Sequence, residues 1–220
     1  MMTNLFSIFD PSTSNNLALN WVALTLFIFI IPSKFFLLKS LPSLPFYNMM
    51  NTLFLEYKSI LPSKYSGSLL FFTSTFLFIM MMNIMGLFPF IFTPSSHILT
   101  TFSLSLTLWL TIILKNILMK TNLMLAHLVP QSTPMLLSSF MVIIESVSLL
   151  IRPLTLSIRL TANMIAGHLL LSLISSIADF SPNNFSLSML TQTMMIILET
   201  AVAFIQAFVF STLILLYSSE

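Results

Sequence analysis

Long uncharged apolar runs alternate with short polar breaks along the chain. Residues 67–93 and 97–114 are about long enough to cross a bilayer, and 17–31 can do so with its uncharged flanks, because a membrane helix needs about 20 residues. Two longer runs follow, 135–178 with three formal charges and 185–217 with one. The pattern predicts five membrane-crossing helices, of which the last two form a long antiparallel hairpin.

The segment between the first two crossings differs in character. Residues 32–64 carry four lysines against one acid, and within them 49–60 has the amphipathic pattern typical of a helix lying at the membrane interface.

The hairpin helices are too long for an upright crossing. At 1.5 Å per residue, 135–178 would extend roughly 65 Å, about twice the thickness of a hydrocarbon core. We therefore predict that it tilts strongly or kinks, with Pro153 as the expected kink.

Composition supports a membrane protein and excludes other classes. The chain is 57% hydrophobic and 6% charged, with a mean hydropathy of +1.01, whereas soluble domains carry about 25% charged residues. A net charge of +2 is too small and scattered for binding nucleic acid, and the absence of cysteine excludes thiolate metal sites. The sequence has no phosphate loop, metal-ligand cluster or nucleophile elbow, so we expect neither a cofactor nor an enzymatic active site. It predicts an all-α integral membrane protein with one membrane domain, 1–220.

The distribution of lysines predicts the orientation. Lysines cluster after the first crossing (17–31) and after the third (97–114), and the positive-inside rule places both clusters on one side of the membrane. The amino terminus and the predicted turn at 179–184 then lie on the opposite side, and the carboxyl terminus lies with the lysines. The opening residues 1–16 contain no Arg-rich presequence. We expect insertion by a signal-anchor route or synthesis inside the protein's own compartment.

Few polar residues interrupt the hairpin, so their relative depths can be predicted. In an antiparallel hairpin, residues at equal depth have position numbers with a constant sum. Arg159 and Gln206 have the sum 365. His168 and Glu199 have the sum 367. Half of each sum is about 183, inside the turn that the polar residues 179–184 predict on other grounds. The hairpin therefore brings two polar pairs to matching depths.

Helical spacing predicts which residues share a face. Because a helix turns about 100° per residue, Glu145, Arg152 and Arg159, spaced by seven, lie on one face. Asn163 lies about one turn past Arg159, and His168 lies about 180° around the helix from it. Glu145 is toward the lysine side and His168 toward the turn side. Two zones of titratable groups are thus separated in depth by a guanidinium that always stays charged.

This arrangement suits a proton that crosses the membrane in two steps. Ionisable residues inside a membrane are costly and typically mark relays, and a fixed cation between two relays impedes direct passage. A mobile carboxylate on a partner could lose its proton beside Arg159 and gain one on the other side.

Structural interpretations of these polar residues remain open. Arg159 could pair with one acid, His168 could be a hydrogen-bonded structural residue, and two amides, Asn163 and Gln206, could link helices.

Several motifs are specific enough to indicate a family. The strongest are SIRLTANMIAGH at 157–168, ESVSLLIRP at 145–153 and FIQAFVF at 204–210, and two weaker ones are NIMGLFP at 83–89 and HLVPQSTP at 127–134. Together they resemble the a subunits of rotary F-type ATP synthases over essentially the whole chain. The opening residues MMTNLFSIFDPS look like those of arthropod mitochondrial members.

The resemblance implies a non-catalytic, proton-translocating stator subunit of the mitochondrial enzyme. Its implied partners are the c proteolipids of the rotating ring, other membrane and peripheral-stalk subunits, and the lipid bilayer. The implied location is the mitochondrial inner membrane, with the amino terminus toward the intermembrane space and the carboxyl terminus toward the matrix. The complex's nucleotide chemistry would belong to other subunits.

The resemblance also implies roles for single residues. Arg159 matches the essential arginine that faces the carboxylates of the ring, and Glu145 matches the acid of the matrix-side half-channel. His168 and Glu199 match the pair of the opposite half-channel, in the order found in mitochondrial members. Two further amides match polar neighbours of the arginine, Asn163 and Gln206.

Two other classes of protein remain as alternatives. An antiporter-like or respiratory-chain proton-pump subunit would carry Lys–Glu relays along broken helices rather than one arginine in a long hairpin. A purely structural membrane subunit would not need polar pairs at matching depths. Co-purification with a small, two-helix, ring-forming proteolipid would separate these three classes.

Overall fold

A computed structural model of the protein describes residues 5–14, 17–30, 43–61, 66–88, 91–129, 134, 137–178 and 182–219. Within these stretches the chain is predominantly helical, and the only β-type pairing they contain is an isolated bridge between Ser14 and Leu17. Their α-helices are α1 (Ala23–Ile30), α2 (Ser43–Ile60), α3 (Ser66–Leu87), α4 (Ile98–His127), α5 (Ser138–Ala178) and α6 (Pro182–Ser219). Short 3-10 turns cover Leu5–Phe9, Leu19–Val22 and Pro94–Ser96. The predicted all-α class is confirmed.

Four of the described helices are long and apolar enough to cross a membrane, as judged by length and composition. The qualifying segments are Gly67–Leu87, Ile98–Leu118, Ser138–Ser176 and Phe185–Ser218. They fall on the last four of the five predicted crossings. In the first predicted crossing, 17–31, the structure contains a 3-10 turn followed by α1, and residue 31 lies outside the described stretches. That crossing therefore stays a prediction.

Two helices end at positions different from the predicted ones. α3 ends at Leu87, six residues before the predicted end at 93, because a following proline at position 89 disfavours helical backbone in Phe88. α4 continues beyond the predicted limit of 114 as far as His127. The additional part of α4, beyond residue 114, carries Lys115 and Lys120. The apolar run 97–114 therefore marks only the part of the helix that is suited to contact with lipid.

Two helices also begin earlier than predicted, and both contain proline in the first turn. α2 begins at Ser43 rather than at 49, with Pro45 near its start. α6 begins at Pro182, inside the turn predicted at 179–184. Proline fits these positions because the first N–H groups of a helix have no intrahelical partner, and its fixed φ is already helical. The connection between α5 and α6 is thus shorter than predicted, and residues 179–181 lie outside the described stretches.

The chain divides into two compact units, of which the first comprises Met1–His97 and Ala162–Glu220. In this unit α3 packs against α6. Buried side chains recur every three or four residues on both helices: Phe72, Phe76 and Ile79 on α3, and Ala203, Ala207 and Phe210 on α6. The small residues on α6 allow close approach, which is how membrane helices gain van der Waals contact.

A buried hydrogen bond attaches α2 to the same core. The hydroxyl oxygens of Tyr57 and Ser211 are 2.5 Å apart, and both residues are fully buried. Ser211 Oγ also lies 3.0 Å from the Ala207 carbonyl oxygen, to which it can donate, so Tyr57 is the donor in the pair. Burial raises the pKa of the Tyr57 hydroxyl, which keeps its proton in place. The bond fixes α2 against α6.

The second unit, Ile98–Thr161, contains α4 and the first part of α5. α5 continues as a helix through Pro153, although proline cannot donate the usual backbone hydrogen bond. The same helix carries Glu145, Arg152 and Arg159 within this unit. The predicted single membrane domain, 1–220, and the predicted kink at Pro153 stay predictions.

Candidate functional site

A partly open cavity of about 770 Å³ lies within the first unit. Its walls come from the amino-terminal segment, the loop after α3, and the facing parts of α5 and α6. The titratable residues of this lining are Asp10 and His168. Neutral polar residues also line the cavity, including Asn20, Thr93, Ser172, Ser175 and Gln192. A cavity of this size with several polar partners is suited to holding water.

His168 lies on α5 at the wall of this cavity. Its Nε2 atom is buried and has no hydrogen-bond partner within the described part of the chain. The ring of Phe9 packs edge-to-face on the imidazole, with ring centroids 6.3 Å apart and an interplanar angle of 81°. This contact restrains the imidazole and leaves a ring nitrogen available for proton exchange.

Glu199 lies on α6 directly against the backbone of α5. A Cβ atom added to Gly167 would lie 2.5 Å from Oε1 and 2.8 Å from Cδ of Glu199, far inside van der Waals contact. Glu199 is only 9% exposed, and neither carboxyl oxygen has a hydrogen-bond partner among the described residues. Ionisable groups are rarely left in such a position without a functional reason, because their burial is costly.

The contact also reveals the register of the helix pair. Gly167 and Glu199 have position numbers that add to 366, and the sequence predicted a sum of 367 for His168 and Glu199. The structure therefore brings Glu199 to the level of His168 within one residue. The other predicted pair, Arg159 with Gln206, joins residues of different units and stays a prediction.

The second unit contains Glu145, the acid that the sequence analysis placed toward the lysine-rich side of the membrane. Glu145 Oε1 lies 3.9 Å from Arg152 Nη2, and their side chains are 37% and 26% exposed respectively. The pair agrees with the shared helix face predicted from the spacing of seven residues. An ion pair of this length and exposure contributes little to stability, and the Glu145 side chain is partly exposed within this chain.

Arg159 is an exposed residue on the same helix. No ion pair or hydrogen bond joins it to any other residue in the described stretches, and its neighbours Leu154 and Ile158 are exposed apolar side chains. Asn163, one turn further along, is also exposed, and Gln206 on α6 is half-buried. Across the described stretches neither amide makes a hydrogen bond, so the alternative role of these amides as links between helices gains no support.

The structure adds site residues that the sequence analysis did not select. Phe9 and Asp10 belong to a polar opening segment with no local feature that marks a site. Only the fold packs Phe9 on His168 and brings Asp10 to the same cavity. Gln192 has no partner at a matching depth on α5 among the polar residues that the sequence analysis paired, so its place in the cavity wall comes from the structure alone. Gly167 could have been found, because the chain has only 3 glycines and this one directly precedes His168. No group of three potential metal ligands occurs among the described residues.

Comparison with known proteins gives a consistent result over the full length. A family model described as ATP synthase A chain matches residues 17–219. The chain is 50% identical to ATP synthase subunit a of Anopheles quadrimaculatus, covering 100% of this chain and 99% of that protein. It is 49% identical to the Aedes aegypti protein and 48% identical to the Drosophila melanogaster protein of the same name, again with 100% and 99% coverage. The resemblance found in the sequence motifs is confirmed, and the chain belongs to the ATP synthase A chain family.

Proposed function

We propose that this ATP synthase a subunit conducts protons through two offset half-channels separated by Arg159, and that a ring of c proteolipids carries each proton from one half-channel to the other. The observation that carries the proposal is the state of Arg159. It is exposed on a membrane-length helix and unpaired within the described part of its own chain. A guanidinium in such a place needs a partner, because it cannot become neutral. A carboxylate on the ring supplies that partner.

The half-channel toward the intermembrane space is formed by the cavity, His168 and Glu199. The cavity leads water to the imidazole, and Glu199 lies one residue away across the helix pair. Both side chains present buried, unpartnered polar atoms in the described structure, so each can take up and release a proton without breaking an internal hydrogen bond. A proton passes between them and then neutralises a ring carboxylate.

The matrix-side half-channel contains Glu145. This acid is partly exposed and held by Arg152 on the same helix face that carries Arg159. A ring carboxylate that arrives beside Arg159 is stabilised in its ionised form and releases its proton toward Glu145. The guanidinium prevents a proton from passing directly between the half-channels. Transport then follows the membrane potential, which supplies about 2.3 kcal/mol per charge per 100 mV.

The proposal includes an orientation and a set of partners. The amino terminus and the α5–α6 turn face the intermembrane space, and the carboxyl terminus and the lysine-rich segments face the matrix, as the positive-inside rule predicts. α5 and α6 tilt to follow the curved surface of the ring, with other membrane and peripheral-stalk subunits around them. The subunit translocates protons, and nucleotide chemistry takes place elsewhere in the complex.

Replacing Glu145 with glutamine tests the matrix half-channel. Glutamine keeps the size of the side chain but cannot carry a proton. Because Glu145 is partly exposed, water can replace part of its role, so we expect proton flux through the assembled enzyme to fall only about ten-fold, less than is usual for a positioned proton-transfer group. Flux is measured as ATP-driven acidification of vesicles containing the purified complex, alongside the amount of assembled complex. Glu145→Asp retains an acid and should recover most of the flux. Unchanged flux in Glu145→Gln would contradict the role given to this acid.

Gly167→Ala tests the close contact between α5 and Glu199. The new methyl group would overlap the carboxyl group, so Glu199 must move out of its present position beside α5. We expect proton flux to fall on the order of ten-fold or more, since small displacements of reacting groups are costly. The matched control is Gly67→Ala, because nothing lies within 4 Å of a Cβ atom at Gly67. Equal flux in both variants would show that the contact does not position Glu199.

A further inference from the structure

The amino-terminal segment forms a wall of the cavity that contains His168. Ser7, Ile8, Asp10 and Ser12 all line the cavity. Independently, the Phe9 ring packs on the imidazole of His168. Two separate observations therefore place this segment against the first proton-binding group that the cavity reaches. The segment contributes side chains to the cavity that leads to His168.

Asp10 is fixed in place by its own chain. The Ser12 backbone N–H donates a hydrogen bond of 3.0 Å to Asp10 Oδ1. The Asn20 side-chain amide donates to the Asp10 backbone carbonyl at 3.5 Å. These two bonds hold both the carboxylate and the backbone that carries it. Hydrogen bonds from Ser12 also lower the pKa of the Asp10 carboxyl group, which stays ionised at neutral pH.

The negative charge of Asp10 is not balanced within the cavity lining. The other titratable residue of the lining is His168 on α5, while α6 contributes neutral Gln192 and the loop after α3 contributes neutral Thr93. Two further titratable groups belong to the neighbouring elements. Glu199 lies behind Gly167, and His97 packs against Phe92 of the cavity wall. No lysine or arginine of the described stretches lines the cavity, so the field of the carboxylate attracts cations toward His168.

We propose that Asp10 is a proton-collecting carboxylate of the intermembrane-space half-channel, which concentrates protons in the cavity and delivers them to His168. This inference rests on the proposed function of the cavity. A proton from bulk water is drawn to the carboxylate and moves through cavity water to the free imidazole nitrogen. Asp10 acts only within the cavity, and Glu199 remains the group that exchanges protons with the ring.

Asp10→Asn removes the charge and keeps the oxygen that accepts from Ser12, so the local turn is preserved. We expect proton-driven ATP synthesis to fall roughly two- to five-fold at low ionic strength. This effect is smaller than the rate increase of about ten-fold or more that a cleft lined by many like charges can give, because Asp10 is a single charge. The deficit should be largest when the intermembrane-space side is neutral to alkaline and protons are scarce. It should shrink at acidic pH, where proton supply no longer limits, and vanish below the lowered pKa of Asp10. Added salt should also reduce the deficit by screening the wild-type charge.

The matched control is Glu56→Gln, which removes an exposed acid on α2 that does not line the cavity. It should show wild-type rates at every pH and salt concentration. The proposal is overturned if Asp10→Asn matches wild type throughout, if its deficit is independent of pH and salt, or if Glu56→Gln shows the same deficit. A failure of the proposed half-channel is recognised separately, because Glu199→Gln would then conduct normally whatever the behaviour of Asp10→Asn.

Discussion

Arg159→Ala should abolish proton-driven ATP synthesis while the complex still assembles. The guanidinium is the one group in the scheme that stops protons from passing straight from one half-channel to the other, and it also favours the ionised form of the ring carboxylate beside it. Alanine provides neither effect. We expect synthesis to fall by more than about a hundred-fold, in the range reported for loss of a single preorganised electrostatic group. The measurement is ATP synthesis by reconstituted complexes under an imposed potential and pH gradient.

The same preparation distinguishes a missing barrier from a damaged fold. Because Arg159 is exposed and makes no bond within the described part of the chain, its removal costs the subunit little internal stability. Passive proton leak through the membrane sector should rise in Arg159→Ala. Lys115→Ala, which removes a cation from the lysine-rich end of α4, should retain normal coupling. Wild-type coupling in Arg159→Ala would refute the proposed barrier.

Glu199→Gln should block proton uptake from the intermembrane-space side. Glutamine fills the same space against Gly167, so the helix pair should keep its geometry, but the amide cannot take up and release a proton. We expect both synthesis and ATP-driven pumping to fall by about a hundred-fold, the lower limit for losing a positioned proton-transfer group. Both directions should be affected, because every proton passes this residue whichever way the ring turns.

Two comparisons make the Glu199 result specific. Glu199→Asp keeps a titratable carboxyl group one methylene further from α5 and should restore part of the flux. Gly167→Ala retains the acid but displaces its carboxyl group, so its defect should resemble a weakened form of the same block. Normal flux in Glu199→Gln, with normal assembly, would remove this residue from the pathway.

The contrast between Arg159 and Glu199 explains why these two substitutions have the largest expected effects. Glu199 is buried against its own chain, and its surroundings are set by the close contact with Gly167. Arg159 is exposed on an apolar helix and has its proposed partner on another subunit. In the proposed mechanism, Glu199 controls whether a proton reaches the ring, and Arg159 controls whether a proton can bypass the ring.

The amino-acid sequence was enough to predict the helical class, the long pair formed by α5 and α6, and the matching depths of His168 and Glu199. These follow from local rules. An apolar run long enough for lipid must satisfy its backbone as a helix, and two helices joined by a short turn rise equally from it. Polar residues are so rare in these runs that their spacing alone pointed to the candidate site. Helix ends were predicted less well, because apolarity marks the lipid-facing part of a helix rather than its full extent.

The surroundings of these residues, in contrast, could be known only from the folded structure. Phe9 packs on His168 and Asp10 lines the same cavity, although more than half of the chain separates them from His168 in sequence. Tyr57 bonds to Ser211 across 154 positions. No local pattern encodes such neighbours, because hydrophobic periodicity specifies a face but not the element that covers it. The packing of distant segments decides that Glu199 contacts Gly167 and that Asp10 lines a cavity. Contact between distant segments, rather than composition, therefore decides where the cavity beside His168 lies.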